Sequence, residues 1–157
     1  MFTIIQDTRE QIPLDFSFFE QCDGVLVDCV KTGDYSMVGY EDKVFIERKR
    51  SSGELSINLG VDKDRFYREL ERARDIKWKY IVCEFSVNDL LEFPKKSGIP
   101  KNRWSKLRFN GKALYGLCRK IEEEYGIQFV FCVNREEAAE EIIKIFTQVY
   151  ESGNVGF

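Results

Sequence analysis

Histidine is absent from all 157 residues. Serine–histidine triads, histidine general bases and most zinc sites are thereby excluded, which leaves carboxylate and lysine chemistry. The five cysteines, at 22, 29, 83, 118 and 132, form no Cys-x-x-Cys pair. Cys29, Cys83 and Cys132 fall within apolar runs that read as buried strands, so reduced core thiols in a cytoplasmic protein are expected. No apolar run approaches the ~20 residues of a membrane span. The start of the chain lacks a basic leader and a small-residue cleavage site, so no membrane partner is expected. No Gly-rich phosphate loop or other cofactor motif is found, and no small-molecule cofactor is expected. With 32% charged residues but a net charge of only −3, the chain is not a polycation that would coat nucleic acid. Any nucleic-acid contact must come from a local patch.

What is present suits one compact α/β domain over residues 1–157, since 43% hydrophobic and 14% aromatic residues can bury one core. Phe2 to Gln6 reads as a strand, Val25 to Val30 as a second and Val44 to Glu47 as part of a third, joined by turns as an antiparallel meander. Phe66, Tyr67, Leu70 and Ala73 recur at helical spacing between Asp64 and Asp75. Lys79 to Phe85 reads as a buried strand, with Ser86 as the N-cap of a short helix through Leu91. Lys112 to Tyr125 reads as a helix stopped by Gly126, and Ile127 to Val133 as a further strand. A last helix runs from Arg135 to about Tyr150, with residues 152–157 expected to fray. The sum is a mixed central sheet with helices on both faces.

In Lys43-Val44-Phe45-Ile46-Glu47-Arg48-Lys49, side chains of a strand alternate, so Glu47 and Lys49 share one face and Arg48 takes the other. Residues two apart lie roughly 7 Å from each other, and both can reach one water or phosphate oxygen. Asp34, at the preceding turn, can come alongside. Phosphodiester hydrolysis needs a neutralised phosphate and a water made nucleophilic near neutral pH, and a hard divalent cation on oxygen ligands supplies both. Asp34 and Glu47 suit the metal, while Lys49 would orient or help deprotonate the attacking water. The plain alternative is that Glu47-Arg48-Lys49 is the solvated end of a strand.

Three ordered groups, Asp7-Thr8-Arg9-Glu10, Gly33-Asp34-Tyr35 and Glu47-Arg48-Lys49, resemble the three-part signature of the XPF-type nuclease domain. The similarity continues through Leu55-Ser56-Ile57, Arg65-Phe66 and Tyr80 to Phe85. The resemblance implies a restriction-endonuclease-like fold and Mg²⁺- or Mn²⁺-dependent endonucleolytic cleavage of branched or irregular DNA, such as flaps, forks or junctions. It implies a setting in DNA repair or recombination and the possibility of a homodimer. Its catalytic group would be Asp34, Glu47 and Lys49 with Arg48 beside them. Arg9 suits a phosphate contact, Glu10 a supporting contact or additional ligand, and Asp7 either role or an Asx turn after the first strand. The chain departs from the family at Gly53-Glu54-Leu55, where an Asp-Leu pair is usual, and shows no tandem helix-hairpin-helix module. It is more similar to short stand-alone members from phages or bacteria, for which the host cytoplasm is the expected location.

Seven basic and no acidic residues lie between Lys95 and Lys112, in a chain that is acidic overall. Lys95, Lys96, Lys101, Arg103, Lys106 and Arg108, with Trp104 and Phe109 interleaved, suit phosphate contact and stacking on an unpaired base. The other reading is a solvated loop whose aromatics tuck into the core. An active nuclease is therefore weighed against a catalytically silent DNA-binding scaffold of the same fold. Retention of Asp34, Glu47 and Lys49 favours the former.

Overall fold

The computed structural model describes residues 1–155, the last two by backbone alone. Six strands form one mixed sheet in the order β2-β1-β3-β4-β5-β6. They are β1 (Phe2–Asp7), β2 (Cys22–Asp28), β3 (Tyr35–Met37), β4 (Val44–Lys49), β5 (Trp78–Cys83) and β6 (Gln128–Phe131). Strand β3 is antiparallel to both neighbours, while β1–β2, β4–β5 and β5–β6 are parallel pairs. All strands except β3 therefore point their carboxyl ends to the same edge of the sheet, where open α/β sheets commonly bind ligands.

Two corrections to the expected meander follow. First, β2 lies parallel to β1. A parallel pair needs a long crossover, and the segment between Asp7 and Cys22, anchored in the core by buried Leu14 and Phe16, provides it. Second, β2 is an edge strand whose Val25, Leu26 and Val27 are exposed, and Cys29 is exposed as well. An apolar run is buried only if something covers it, and these three side chains are left uncovered among the described residues. Cys83, Cys118 and Cys132 are buried as free thiols.

The helices are α1 (Ser52–Leu59), α2 (Lys63–Arg72), α3 (Val87–Leu91), α4 (Gly111–Tyr125) and α5 (Arg135–Val155). One face of the sheet, carrying Ile4, Tyr35, Met37, Val44, Ile46 and Val82, packs on Ala138, Ile142, Ile143 and Phe146 of α5. The opposite face, with Phe45, Ile81 and Cys83, packs on Leu55, Phe66, Leu70, Leu114 and Ile121 of α1, α2 and α4. The α5 helix extends to Val155, beyond the expected onset of fraying at 152; residues 156 and 157 lie outside those described.

The capping signals act as read. Ser86 Oγ accepts from Asp89 N–H at α3, and Gly126 ends α4 in the left-handed region at φ 65°. The segment read as an irregular loop contains a 3-10 helix at Lys101–Lys106. Among the described residues no helix is long and apolar enough to cross a membrane.

Candidate active site

Strand alternation places the tripeptide as its spacing requires. Val44 and Ile46 belong to the α5 face and Phe45 to the opposite face, so Arg48 joins the former and Glu47 and Lys49 the latter. Glu47, Arg48 and Lys49 are only 5%, 4% and 4% exposed, which overturns the solvated-strand-end alternative. Three buried charges in succession are tolerated only with partners. Lys49 Nζ lies 3.1 Å from Glu47 Oε2 and 3.9 Å from Glu54 Oε1, and 4.9 Å from the centre of the Phe66 ring of α2. Arg48 Nη1 donates to Glu10 Oε2 at 2.8 Å and also to the Ile12 carbonyl, and its Nε donates to Glu84. The Nε and Nη1 donors of Arg48 are thus engaged on the face away from Lys49.

Asp34 is brought to Glu47 by backbone contacts. Its N–H donates to Ile46 O at 2.7 Å and its carbonyl accepts from Asp7 N–H at 3.0 Å. Gly33 sits at φ 98°, and a Cβ there would lie 2.7 Å from Ile46 O, so both the turn and its approach to β4 require glycine. The Asp34 carboxylate then accepts from the Arg48 backbone N–H at 2.8 Å. Burial in the cleft, and then the adjacent Glu47 carboxylate, push the Asp34 carboxyl up to about 10. Burial opposes the charge on Lys49, but Glu47, Glu54 and Asp34 outweigh it and hold the ammonium above the usual lysine range.

The Asp7 to Glu10 group divides by role. Asp7 Oδ1 accepts from Val30 N–H at 2.9 Å and its Oδ2 from Arg9 Nε at 2.7 Å. With Arg9 N–H also bound to Oδ2, Asp7 forms the Asx turn after the first strand while still lining the cleft. Burial works against its ionisation, but these donors prevail and hold the carboxyl below its ordinary value. The Arg9 side chain is 76% exposed at the mouth. Glu10 Oε2 accepts from Tyr35 OH as well as from Arg48, each at 2.8 Å, so Glu10 braces Arg48.

These groups line an open cleft of about 440 Å³ at the carboxyl edge of the sheet. Seven carboxylates, from Asp7, Glu10, Asp34, Glu47, Glu54, Asp62 and Glu69, face five cationic side chains there. Arg65, named within the resemblance but given no role there, and Glu69, one helical turn further along α2, were not singled out as site residues, nor was Glu84 after β5. The signal for the first two was their spacing beside Phe66 and Leu70; for Glu84 it was alternation with buried Val82. Burial, and next Glu47, raise the Glu69 carboxyl above its usual range. Carboxylates gathered in one cleft are a donor set that a hard divalent cation would satisfy. Asp34 and Glu47 fit that role. Among the described residues no three acidic or thiol side chains are grouped closely enough to enclose an ion. Mg²⁺ tolerates such a set because it keeps several water or phosphate oxygens of its own.

The basic stretch lies beside the cleft, not in it. None of Lys95, Lys96, Lys101, Arg103, Trp104, Lys106 and Arg108 lines the carboxylate site, whereas Lys106 and Arg108 line an adjoining groove. Lys96 pairs with Asp89 at 3.4 Å. Half-buried Trp104 donates Nε1–H to Ile99 O at 3.0 Å with Lys101 over its ring, and Phe109 packs on the core. Trp104 is therefore held within its own loop, while Phe109 packs on the core and also lines the adjoining groove.

The model of the ERCC4 domain matches residues 6–145. Among solved structures, XPF from Aeropyrum pernix in complex with DNA superposes with a TM-score of 0.66 at 19% identity, covering 97% of this chain and 66% of that one. A further structure of XPF from Aeropyrum pernix gives 0.64 at 20% identity, with coverage of 91% and 62%. The chain thus spans just under two thirds of the length of these structures. No curated protein matches it. The superpositions establish the restriction-endonuclease-like α/β fold, and the family match, spanning most of the sequence from the Asp7 turn to α5, shows that this chain belongs to the ERCC4 domain family.

Proposed function

We propose that this chain is a divalent-metal-dependent DNA endonuclease that hydrolyses phosphodiester bonds in branched or irregular DNA, such as flaps, forks or junctions. The observation that carries the reading is the Asp34 and Glu47 carboxylate pair with the Lys49 ammonium 3.1 Å from Glu47, buried at the carboxyl edge of the sheet. Membership of the ERCC4 domain family and the likeness to an XPF described in complex with DNA support it.

Asp34 and Glu47 would hold Mg²⁺ or Mn²⁺. Such a cation supplies charge neutralisation on the phosphate and a lowered pKa for the attacking water. Lys49 lies 3.1 Å from Glu47 on the same face of β4, within reach of a water held at the metal. Its role is to orient or help deprotonate the attacking water and to offset charge in the transition state. Arg48 fixes Glu10 and Glu84 and exposes its backbone N–H to Asp34, which holds that carboxylate in place. Arg9, exposed at the mouth, suits a flanking phosphate. The excess of carboxylates in the cleft repels a DNA backbone until a cation is bound, so binding and chemistry share one requirement.

The test is incubation of the purified protein with labelled fork, flap, junction and linear DNA in Mg²⁺, Mn²⁺ or chelator, alongside Asp34→Asn and Lys49→Met. Cleavage confined to the metal lanes and reduced at least ~100-fold in both variants is expected. Equal cutting by wild type and both variants would reject the site. Branched-DNA binding without any cutting would replace catalysis by the scaffold role.

A further inference from the structure

Ile57, on the outer side of α1, lines the carboxylate cleft and also a second groove of about 170 Å³. In that groove Ile57 and Val61 face the loop residues Ile99 and Phe109, and the exposed side chains of Lys106 and Arg108 complete the lining. Two large aliphatic side chains, Ile57 at 52% and Val61 at 90% exposure, thus stand in water next to a catalytic cleft. A Cβ on Gly60 would lie 3.3 Å from Phe109 Cε2 and 3.0 Å from the Ser56 carbonyl oxygen, so glycine is what lets the end of α1 approach the edge of that ring.

The composition reverses that of the cleft. Among the described residues no carboxylate lines this groove, whereas seven line its neighbour. Its volume is well below the ~300–1,000 Å³ of sites that bury a whole small molecule. It suits one flat apolar group belonging to a longer chain. Apolar walls with two cations match a base face and its adjoining phosphates. An apolar side chain of an acidic peptide has similar chemistry, but continuity with the cleft through Ile57 and the acid-free run from Lys95 to Lys112 favour a nucleic-acid strand. Arg108 and Phe109 also line a third groove with Lys63, Asp64 and Tyr67, which carries a carboxylate that the second groove lacks.

We propose that the groove between α1 and the loop carrying Lys106 and Arg108 seats a single unpaired nucleobase of the strand leading away from the scissile phosphate. This rests on the nuclease reading above. A base within a duplex is stacked on both sides and cannot enter, so the groove selects DNA that is unpaired close to the cut.

The experiment uses a fluorescent duplex with a single-stranded extension, in which one abasic residue is moved along the tail. Binding is measured by anisotropy in Mg²⁺ with the Lys49→Met chain, and cleavage rate with the wild-type chain. One tail position should weaken binding by roughly tenfold. An Ile57→Ala/Val61→Ala variant should show the same loss with intact DNA and no further loss with the abasic one. Both replaced side chains are exposed, so the fold is retained. A flat scan with tailed DNA still bound and cut overturns the groove alone, as does equal affinity for blunt and tailed duplexes. Absence of binding and cutting on every DNA overturns the nuclease reading as well.

Discussion

Glu47, Arg48 and Lys49 are adjacent in the chain, yet their side chains serve opposite faces of the sheet. Period-two alternation made this division legible from sequence, and the contacts of Arg48 with Glu10 and Glu84 realise it. The partners themselves were not legible, because Glu84 reaches Arg48 only through the β4–β5 register. Replacing Arg48 by Met leaves Glu10 and Glu84 enclosed without their cation, so a loss of about 3 to 5 kcal/mol is expected in urea unfolding. A smaller loss in Glu84→Gln, which keeps a hydrogen-bonding side chain, would separate unpaired charge from packing. Asp34 gives a pH dependence whose sign is fixed. Its ordinary value is 3.8 and the folded value about 10, so across that interval the folded protein keeps a proton that the unfolded chain has lost. In chelator, stability is full below about pH 4 and falls as pH rises towards 10. Asp34→Asn should flatten this decline in urea midpoints taken between pH 5 and 9, and parallel curves for the two proteins would count against the buried carboxylate pair.

Elements with strong periodicity or clear caps were readable: α4 between Asn110 and Gly126, α3 after Ser86, and β5 as an apolar run. Strand β3 has three residues and no independent signal. Helix α1 escaped because Ser52, Gly53, Leu55, Ser56, Asn58 and Leu59 are all buried, which erases an amphipathic stripe. Its one available signal was the pair Ser51 and Glu54, in which Ser51 Oγ accepts from Glu54 N–H at 3.1 Å. Close backbone approach ties these elements together. A Cβ on Gly111 would collide with the carbonyl oxygens of Leu90 and Leu91, where α4 meets α3, while one on Gly116 of the same helix meets nothing within 4 Å. Gly111→Ala should therefore cost about 1 to 3 kcal/mol through overpacking. Gly116→Ala should add up to about 1 kcal/mol of helix propensity. Thermal melts of the two variants shifting in the same direction would contradict this packing.

At the scale of the whole molecule, a chain of net charge −3 separates an acidic cleft from a basic, acid-free run between Lys95 and Lys112. Neutralising Lys101, Arg103 and Lys106 together to Gln should weaken DNA binding and reduce the slope of log affinity against log salt by up to about 3. An unchanged slope would remove these residues from the interface. The cleft should respond to cations in the opposite sense, because an ion that binds only the folded state raises its stability. Mg²⁺ at about 100 times its dissociation constant is expected to stabilise the protein by about 2.7 kcal/mol, seen as a raised Tm that Asp34→Asn abolishes.

Composition, strand and helix periodicity, and three short motifs in order were enough to determine an α/β architecture, the grouping of Asp34, Glu47 and Lys49 as candidates, and the face on which Glu47 and Lys49 lie. These are local properties, set by side-chain type and by the two- and 3.6-residue repeats of the backbone. Only the tertiary structure decided the parallel pairing of β1 with β2, the exposure of the β2 edge, the inward turn of Trp104 and Phe109, and the addition of Arg65, Glu69 and Glu84 to the cleft or its support. Each depends on which distant segment covers, pairs with or charges a residue, and that is set when the chain closes on itself.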